Sequence, residues 1–447
     1  MKLKDFVIWP FKKNPVALGD QVSGRLLCDP SSPMVISHDF QYFRQPGVNK
    51  ITDPEKLVMV RYGELFLKSE SVKHHFIGML LRNLGKALTA SGLPYHYETP
   101  RGRILIYGDQ PEKIADIASR IFGIVDVSIC TRTRASLDEL CSVAISLASA
   151  RLSRGMSFAV RAKRQQKTGL NSQELGERIG SAIYDHIPGL VVDLDNPDYE
   201  LFVEIRDFGG LVYDSRIPAP GGLPWGTQGR VLVLLSSGID SPVASWLMMK
   251  RGCEITHLFL DAGRWAGTDV MQAAMENHRR LSRWCAGNPL LLVIANGELL
   301  YDRMDELRIP PRYRCVICKR FMLNIAGHLM KKEGALAVVT GDNLGQVASQ
   351  TLANMAVIAE AAQVPVLRPL ITYDKEESVM LARRIGTFDA HPGDLACRAV
   401  PHMPATAAVL EAVWESEKRM GIDEIVAASL SNMKYVTALN SSIVREP

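Results

Sequence analysis

Residues 231–242 read Val-Leu-Val-Leu-Leu-Ser-Ser-Gly-Ile-Asp-Ser-Pro. The unbroken apolar run 231–235 is what a strand buried on both faces of a parallel sheet requires. Small residues follow, and a helix is expected from Pro242 to Met249. Ser241 is its expected N-cap, Pro242 suits the first helical position, and Gly252 suits the position just past its end. A strand, a small-residue turn and a helix N-terminus together make an anion site, because backbone N–H groups and the helix dipole face the same point. A plain strand-to-helix turn uses the same residues, so spacing alone leaves both readings open. The sequence holds no G-x-x-x-x-G-K-[ST] and no G-x-G-x-x-G string, which argues against P-loop kinases and dinucleotide-binding domains.

Working outward from this turn, apolar runs at 230–235, 255–260, 290–294 and 336–340 alternate with helical patterns. That alternation predicts an α/β domain with a doubly wound parallel sheet over residues 221–447. The Pro- and Gly-rich segment Pro218–Pro224 breaks regular structure and marks the boundary before it. Upstream, 57–132 reads β-α-β-β-α-β, a ferredoxin-like order, with strands at 57–62, 95–98, 103–107 and 124–130 and helices at 69–90 and 111–121. Residues 133–220 form a second α+β block, and 1–56 read as an irregular arm with no assignable chemistry.

With 447 residues, 47% hydrophobic and 22% charged, the chain is globular and multidomain. Its net charge of +4 is too small to name a partner. Eight cysteines in this length do not make a disulfide scaffold. The apolar run near the N-terminus stops at Pro10, too short for a signal peptide, and no apolar run approaches the ~20 residues of a membrane span. A cytoplasmic protein is expected, with no membrane partner.

The string SSGIDSPVASWLMMKRG (236–252) resembles the pyrophosphate-binding loop of the PP-loop ATP pyrophosphatases, and within them the tRNA uridine 4-sulfurtransferases. RYGELFLKS (61–69), CVICKRFM (315–322), TGDNLGQVASQTLANM (340–355) and VLRPLITYDKEE (366–377) are similar to that family in the expected order. The resemblance implies ATP-dependent thiolation of uridine at position 8 of tRNA, through adenylation of uracil O4 and release of pyrophosphate. It implies nucleotide contacts at Leu234, Leu235, Ser236, Gly238, Ser241, Phe259, Leu260, Lys319, Gly341 and Gln350, with Arg320 an alternative to Lys319. Asp240 is expected to support Mg²⁺ and the leaving pyrophosphate. The family's first loop glycine is Ser237 here, and a positive φ at that position would strain a serine. A homodimer is also implied.

Six basic residues and no acidic one lie between Leu140 and Gln173: Arg151, Arg154, Arg161, Lys163, Arg164 and Lys167. Such a cluster suits a phosphate backbone, although a solvated basic surface looks the same in sequence. SFAVRAKRQ (157–165) is similar to the THUMP domain, an RNA-binding module of tRNA-modifying enzymes, which assigns Arg161, Lys163, Arg164 and Lys167 to tRNA. Tyr62, Lys68 and Lys73 are expected to extend that surface.

Cys315-Val-Ile-Cys318 is a closely spaced pair, and by itself a weak signal for metal, cluster or disulfide. The family's sulfur-transfer cysteine matches Cys397, and an archaeal-type branch joins all three in an iron–sulfur cluster. The chain ends at Pro447 without a rhodanese domain, so the reading is a three-cysteine cluster fed by sulfide or a sulfur-donor protein, with zinc or a redox dithiol as alternatives. Two rival functions stay open. One is a tRNA-binding protein with a degenerate ATPase; the other is a PP-loop enzyme that thiolates another base or serves thiamine thiazole synthesis.

Overall fold

The computed structural model describes residues 54–63, 69–165, 169–388 and 397–445, all within one compact unit, Tyr42–Pro447. Of the expected arm (1–56), residues 1–53 lie outside the described residues, as do Lys68 and Lys167, while Glu55 and Lys56 already belong to the first strand.

The first block runs β1 (Glu55–Tyr62), α1 (Glu70–Ala90), β2 (His96–Glu98), β3 (Ile104–Tyr107), α2 (Pro111–Ala118) and β4 (Ile124–Thr133). The second runs α3 (Leu137–Ser149), β5 (Ser157–Arg164), α4 (Ser172–His186), β6 (Val191–Val192), β7 (Tyr199–Arg206), β8 (Gly209–Tyr213) and β9 (Ile217–Pro218). The first has the expected element order, and the second is the expected α+β block. Their strands nevertheless join, in the order β2-β3-β1-β4-β8-β7-β5-β6, with β9 against β4. The seam is the antiparallel pairing of Thr131–Thr133 with Gly210–Val212.

A buried carboxylate pins this seam. Glu204 of β7 is reached by Arg206 at 2.6 Å, Arg103 at 3.0 Å, Arg61 of β1 at 3.5 Å and the Tyr213 hydroxyl at 2.9 Å. Arg61 also donates to Ser128 of β4 at 3.0 Å. Burial alone would raise the Glu204 pKa, but the three guanidinium groups outweigh it and hold it at about 2. One ion network therefore ties both blocks together across the sheet.

The third block contains β10 (Arg230–Leu234), α5 (Asp240–Lys250), β11 (Glu254–Asp261), α6 (Thr268–Leu281), β12 (Leu290–Asn296), α7 (Glu298–Glu306), α8 (Arg314–Glu333) and β13 (Ala335–Val339). After these come α9 (Leu352–Glu360), β14 (Val366–Leu367), α10 (Lys375–Ile385), α11 (Leu410–Met420), α12 (Ile422–Ser431), β15 (Lys434–Leu439) and β16 (Ser442–Arg445). The sheet order is β14-β13-β10-β11-β12-β15-β16. The first five strands are parallel, as the apolar runs require. β15 and β16 are antiparallel and close one edge, where continued alternation had been expected. Strands β10 and β13 are neighbours although β11 and β12 intervene in the chain. That reversal of strand order is a topological switch point, and ligands of open α/β sheets bind beyond the carboxyl ends of such strands.

Glu204→Ala should lower unfolding free energy by about 3–5 kcal/mol, because three guanidinium groups lose their buried partner. The Glu204 pKa is depressed from 4.5 to about 2, so its stabilisation is complete above pH 4.5 and is lost as pH falls toward 2. Urea titrations across that window should give a shallower pH dependence for the variant. Equal slopes would show that the network carries no linkage.

Candidate functional site

The turn after β10 and the turn after β13 meet at the switch point and line a cleft of about 380 Å³. Leu234, Leu235, Ser236, Gly238, Asp240, Ser241, Lys319, Gly341 and Gln350 all line it, as does Cys397. Phe259 and Leu260 do not: Phe259 is packed in the core, and Leu260 packs on it and against Gly297. α5 starts at Asp240, one residue before the expected cap. The Ser241 hydroxyl instead accepts from the backbone N–H of Ser236 at 2.8 Å and bonds the Ser236 hydroxyl at 2.8 Å. That serine pair folds the turn back on itself. The Asn277 amide of α6 locks it from behind, donating to the carbonyls of Ser236 at 3.2 Å and Gly238 at 3.4 Å. Ser237 has no positive φ, so serine meets no backbone strain there. Gly252 does have a positive φ, +87°, just past the end of α5.

Gly341 is where the two turns touch. A Cβ on it would lie 2.7 Å from the Ser241 nitrogen, 2.8 Å from the Ser241 Cα and 2.9 Å from the Asp240 carbonyl carbon. All three neighbours are main chain and cannot swing aside. The glycine brings β13 against the first turn of α5, whose N–H groups lack partners within the helix.

The cleft's charges are organised around two carboxylates. Buried Asp342 accepts from Lys319 Nζ at 2.6 Å and Thr340 Oγ1 at 2.8 Å, with Arg368 Nε at 3.7 Å. Burial pushes its pKa up, yet Lys319 beside it prevails and holds it below the usual range. Gln350 donates to the same carboxylate at 3.4 Å, and its own Oε1 is buried without a partner, an acceptor left for a ligand N–H or O–H. Asp240 accepts from Lys375 Nζ at 2.9 Å and Gln346 Nε2 at 3.2 Å. Arg320 turns away from the cleft and is buried against Glu417 at 2.7 Å and Glu360 at 2.8 Å, which leaves Lys319 as the lysine of the site. Asp342, Arg368 and Lys375 lie inside 340–355 and 366–377, yet periodicity gives them no role. Asn277 carries no sequence signal at all.

Cys397 is exposed at the cleft, while Cys315 and Cys318 are half-buried on the first turn of α8. Burial pushes the Cys318 thiol up to about 12 and raises Cys315 as well, and Cys397 acts electrostatically on both. Among the described residues no group of three His, Cys, Asp or Glu side chains is arranged to hold a metal ion. Cys315, Cys318 and Cys397 act electrostatically on one another, and thiols are the donor chemistry of a soft metal centre.

The basic cluster of the second block is only partly free. Arg161 donates to Glu200 at 2.8 Å and to the Leu194 carbonyl at 2.7 Å, and Arg151 lies 3.8 Å from Asp214. Lys163 is exposed and Arg164 half-exposed. Arg161 and Lys163 share a groove of about 800 Å³ between β5 and α4 with exposed Tyr184 and Leu194. Tyr62 is half-buried, and Lys73 reaches Glu70 at 3.3 Å.

Three family models match: "ThiI ferredoxin-like domain" over 57–128, "THUMP domain" over 134–213 and "Thiamine biosynthesis protein (ThiI)" over 226–422. The probable tRNA sulfurtransferase of Methanosarcina mazei is 36% identical over 85% of this chain and 95% of its own length. The chain belongs to the tRNA sulfurtransferase family. The family's probable member from Moorella thermoacetica is 38% identical over 85% of this chain and 97% of its own. A 4-thiouridine synthetase crystallised with RNA and bound ATP matches with a TM-score of 0.75 and 30% identity, over 86% of this chain and all of that one. Among the described residues, no helix is long and apolar enough to cross a membrane.

Gly341→Ala should weaken ATP binding about ten-fold or more by titration calorimetry, because the overlap is with backbone. Gly327→Ala, where a new Cβ meets nothing within 4 Å, should leave ATP binding unchanged. Equal affinities for the two variants would remove the close approach from the site.

Proposed function

We propose that this tRNA sulfurtransferase makes 4-thiouridine at position 8 of tRNA by adenylating uracil O4 and then replacing that oxygen with sulfur. The observation that carries the reading is the switch-point cleft. It joins a helix N-terminus, Lys319 and Arg368 for phosphates, and the exposed thiol of Cys397 in one cavity. ATP bound there would place its phosphates at the first turn of α5, where N–H groups and the dipole favour anions. Uracil O4 attacks the α-phosphate, and pyrophosphate leaves against Lys319 and the turn. AMP then serves as the leaving group when sulfur attacks C4. The ATP-bound, RNA-bound 4-thiouridine synthetase supports both ligands by likeness.

Mg²⁺ is commonly held by one or two carboxylates and the substrate phosphates, and Asp240 can serve once Lys375 moves from its carboxylate to a phosphate. When bound, the ion would offset charge on the departing pyrophosphate. Cys315, Cys318 and Cys397 would hold an iron–sulfur cluster, which would supply sulfur at the sulfide level, drawn from sulfide or a sulfur-donor protein. Their donor set fits that group, although zinc would use the same thiols. The groove between β5 and α4 offers tRNA a stacking ring at Tyr184 and a charge at Lys163, with Arg164 and Lys167 following in sequence. A homodimer is part of the reading.

The test is the purified chain with ATP, Mg²⁺, sulfide and a tRNA transcript, followed by nucleoside mass spectrometry. 4-Thiouridine should form, and a transcript carrying cytidine at position 8 should yield none. Asp240→Ala should lose pyrophosphate release about a hundred-fold or more while tRNA affinity stays within about two-fold, since the cleft and the groove are separate. RNA binding with no pyrophosphate release by the unaltered chain would instead mark a degenerate ATPase. In salt titrations, Lys163→Ala should reduce the log–log slope by about 0.7–0.9, and Arg161→Ala by less, because Glu200 already neutralises Arg161. Equal reductions would show that the Arg161–Glu200 pair opens on binding.

A further inference from the structure

The three cysteines share a neighbour that the mechanism above does not use. Tyr301 of α7 is 4% exposed, and its hydroxyl donates to Cys318 Sγ at 3.1 Å. Cys318, Cys397 and Cys315 all act electrostatically on that hydroxyl. The ring is held from outside. Trp265 stacks on it with centroids 6.1 Å apart and planes inclined by 26°. Arg314, the residue before Cys315, lies over the other ring of this stack, its Cζ 5.4 Å from the Trp265 centroid. The Trp265 indole donates to Asp302 at 2.7 Å, and Arg264 reaches the same carboxylate oxygen at 2.5 Å. Arginine, tryptophan and tyrosine thus form a bracket ending in one O–H directed at sulfur. Packing alone would be served by phenylalanine, which fills the same space and leaves no buried polar group to satisfy.

We propose that Tyr301 is a positioning residue of the sulfur centre, its hydroxyl holding the Cys318 sulfur in place by a hydrogen bond that strengthens when that sulfur is metal-bound. The inference rests on the three-cysteine reading given under Proposed function. A hydrogen bond to a charged acceptor is stronger than one to a neutral acceptor, so the hydroxyl favours the form of the centre that handles sulfur. Hydrogen bonds to ligating sulfur also raise the reduction potential of a cluster, which supplies a readout apart from turnover.

The experiment compares Tyr301→Phe with the unaltered chain in two half-reactions. Pyrophosphate release driven by ATP and tRNA should match within about two-fold. 4-Thiouridine formation should fall about ten-fold or more, the scale of one hydrogen bond to a charged group. A role in packing would lower both rates together, and that result would overturn the proposal, as would unchanged thiolation. In protein reconstituted anaerobically with iron and sulfide, the midpoint potential of the variant should shift to lower values, and an unmoved potential would also count against the hydroxyl. Cys318→Ser run in parallel separates the two levels. If Cys318→Ser thiolates normally, the three-cysteine reading fails. If Cys318→Ser is inactive and Tyr301→Phe equals the unaltered chain, only the role of Tyr301 fails.

Discussion

Everything chemical in this molecule depends on one backbone approach. At the switch point between β10 and β13, Gly341 packs against the nitrogen and Cα of Ser241 with no room for a side chain. Parallel strands fix the two turns at the same level, the serine pair and Asn277 fold the first turn tightly, and glycine lets the second come down on it. The result is a cleft with a helix N-terminus at its floor. A larger residue at 341 would separate the anion-binding turn from Lys319 and Asp342, and neither half is a nucleotide site alone.

The cleft's electrostatics follow from that geometry. Bringing a helix N-terminus, Lys319 and Arg368 into one small space concentrates positive charge, and Asp342 keeps it tolerable before a ligand arrives. Asp240 and Lys375 do the same at the rim, where a phosphate can take over the lysine. Three thiols border this space, with Cys315 and Cys318 at the start of α8 and Cys397 lining the cleft itself. The basic groove between β5 and α4 lies on a different sheet, whose two halves are joined by the Glu204 network.

Much of the fold was legible because it rests on local chemistry. The run 231–235 has the unbroken apolar character of a strand buried on both faces, and the β-α-β-β-α-β order of the first block follows from hydrophobic periods. What sequence could not show were long-range pairings. Periods of two and 3.6 residues do not reveal that β4 and β8 share a ladder, nor that β15 lies antiparallel to β12. In the site, the turn residues' place in the cleft was legible because a buried strand followed by small residues and a helix start puts them at the sheet's carboxyl edge. Ser241 was misread as a cap because its hydroxyl has a closer partner in Ser236. Arg161 looked free because Glu200, its partner, is a strand away rather than a few residues away. Tyr301 and Asn277 act through contacts from other elements, and one-dimensional patterns do not contain those.

The central claim is that uracil O4 is activated by bonding to the α-phosphate of ATP. Oxygen labelling tests it directly. A tRNA carrying ¹⁸O at O4 of uridine 8 is thiolated in a single turnover, and the AMP is analysed by mass spectrometry. Adenylation of O4 predicts one ¹⁸O in the AMP phosphate for each 4-thiouridine formed. Unlabelled AMP alongside normal 4-thiouridine would contradict the account, because the oxygen would then have left without ever bonding to phosphorus.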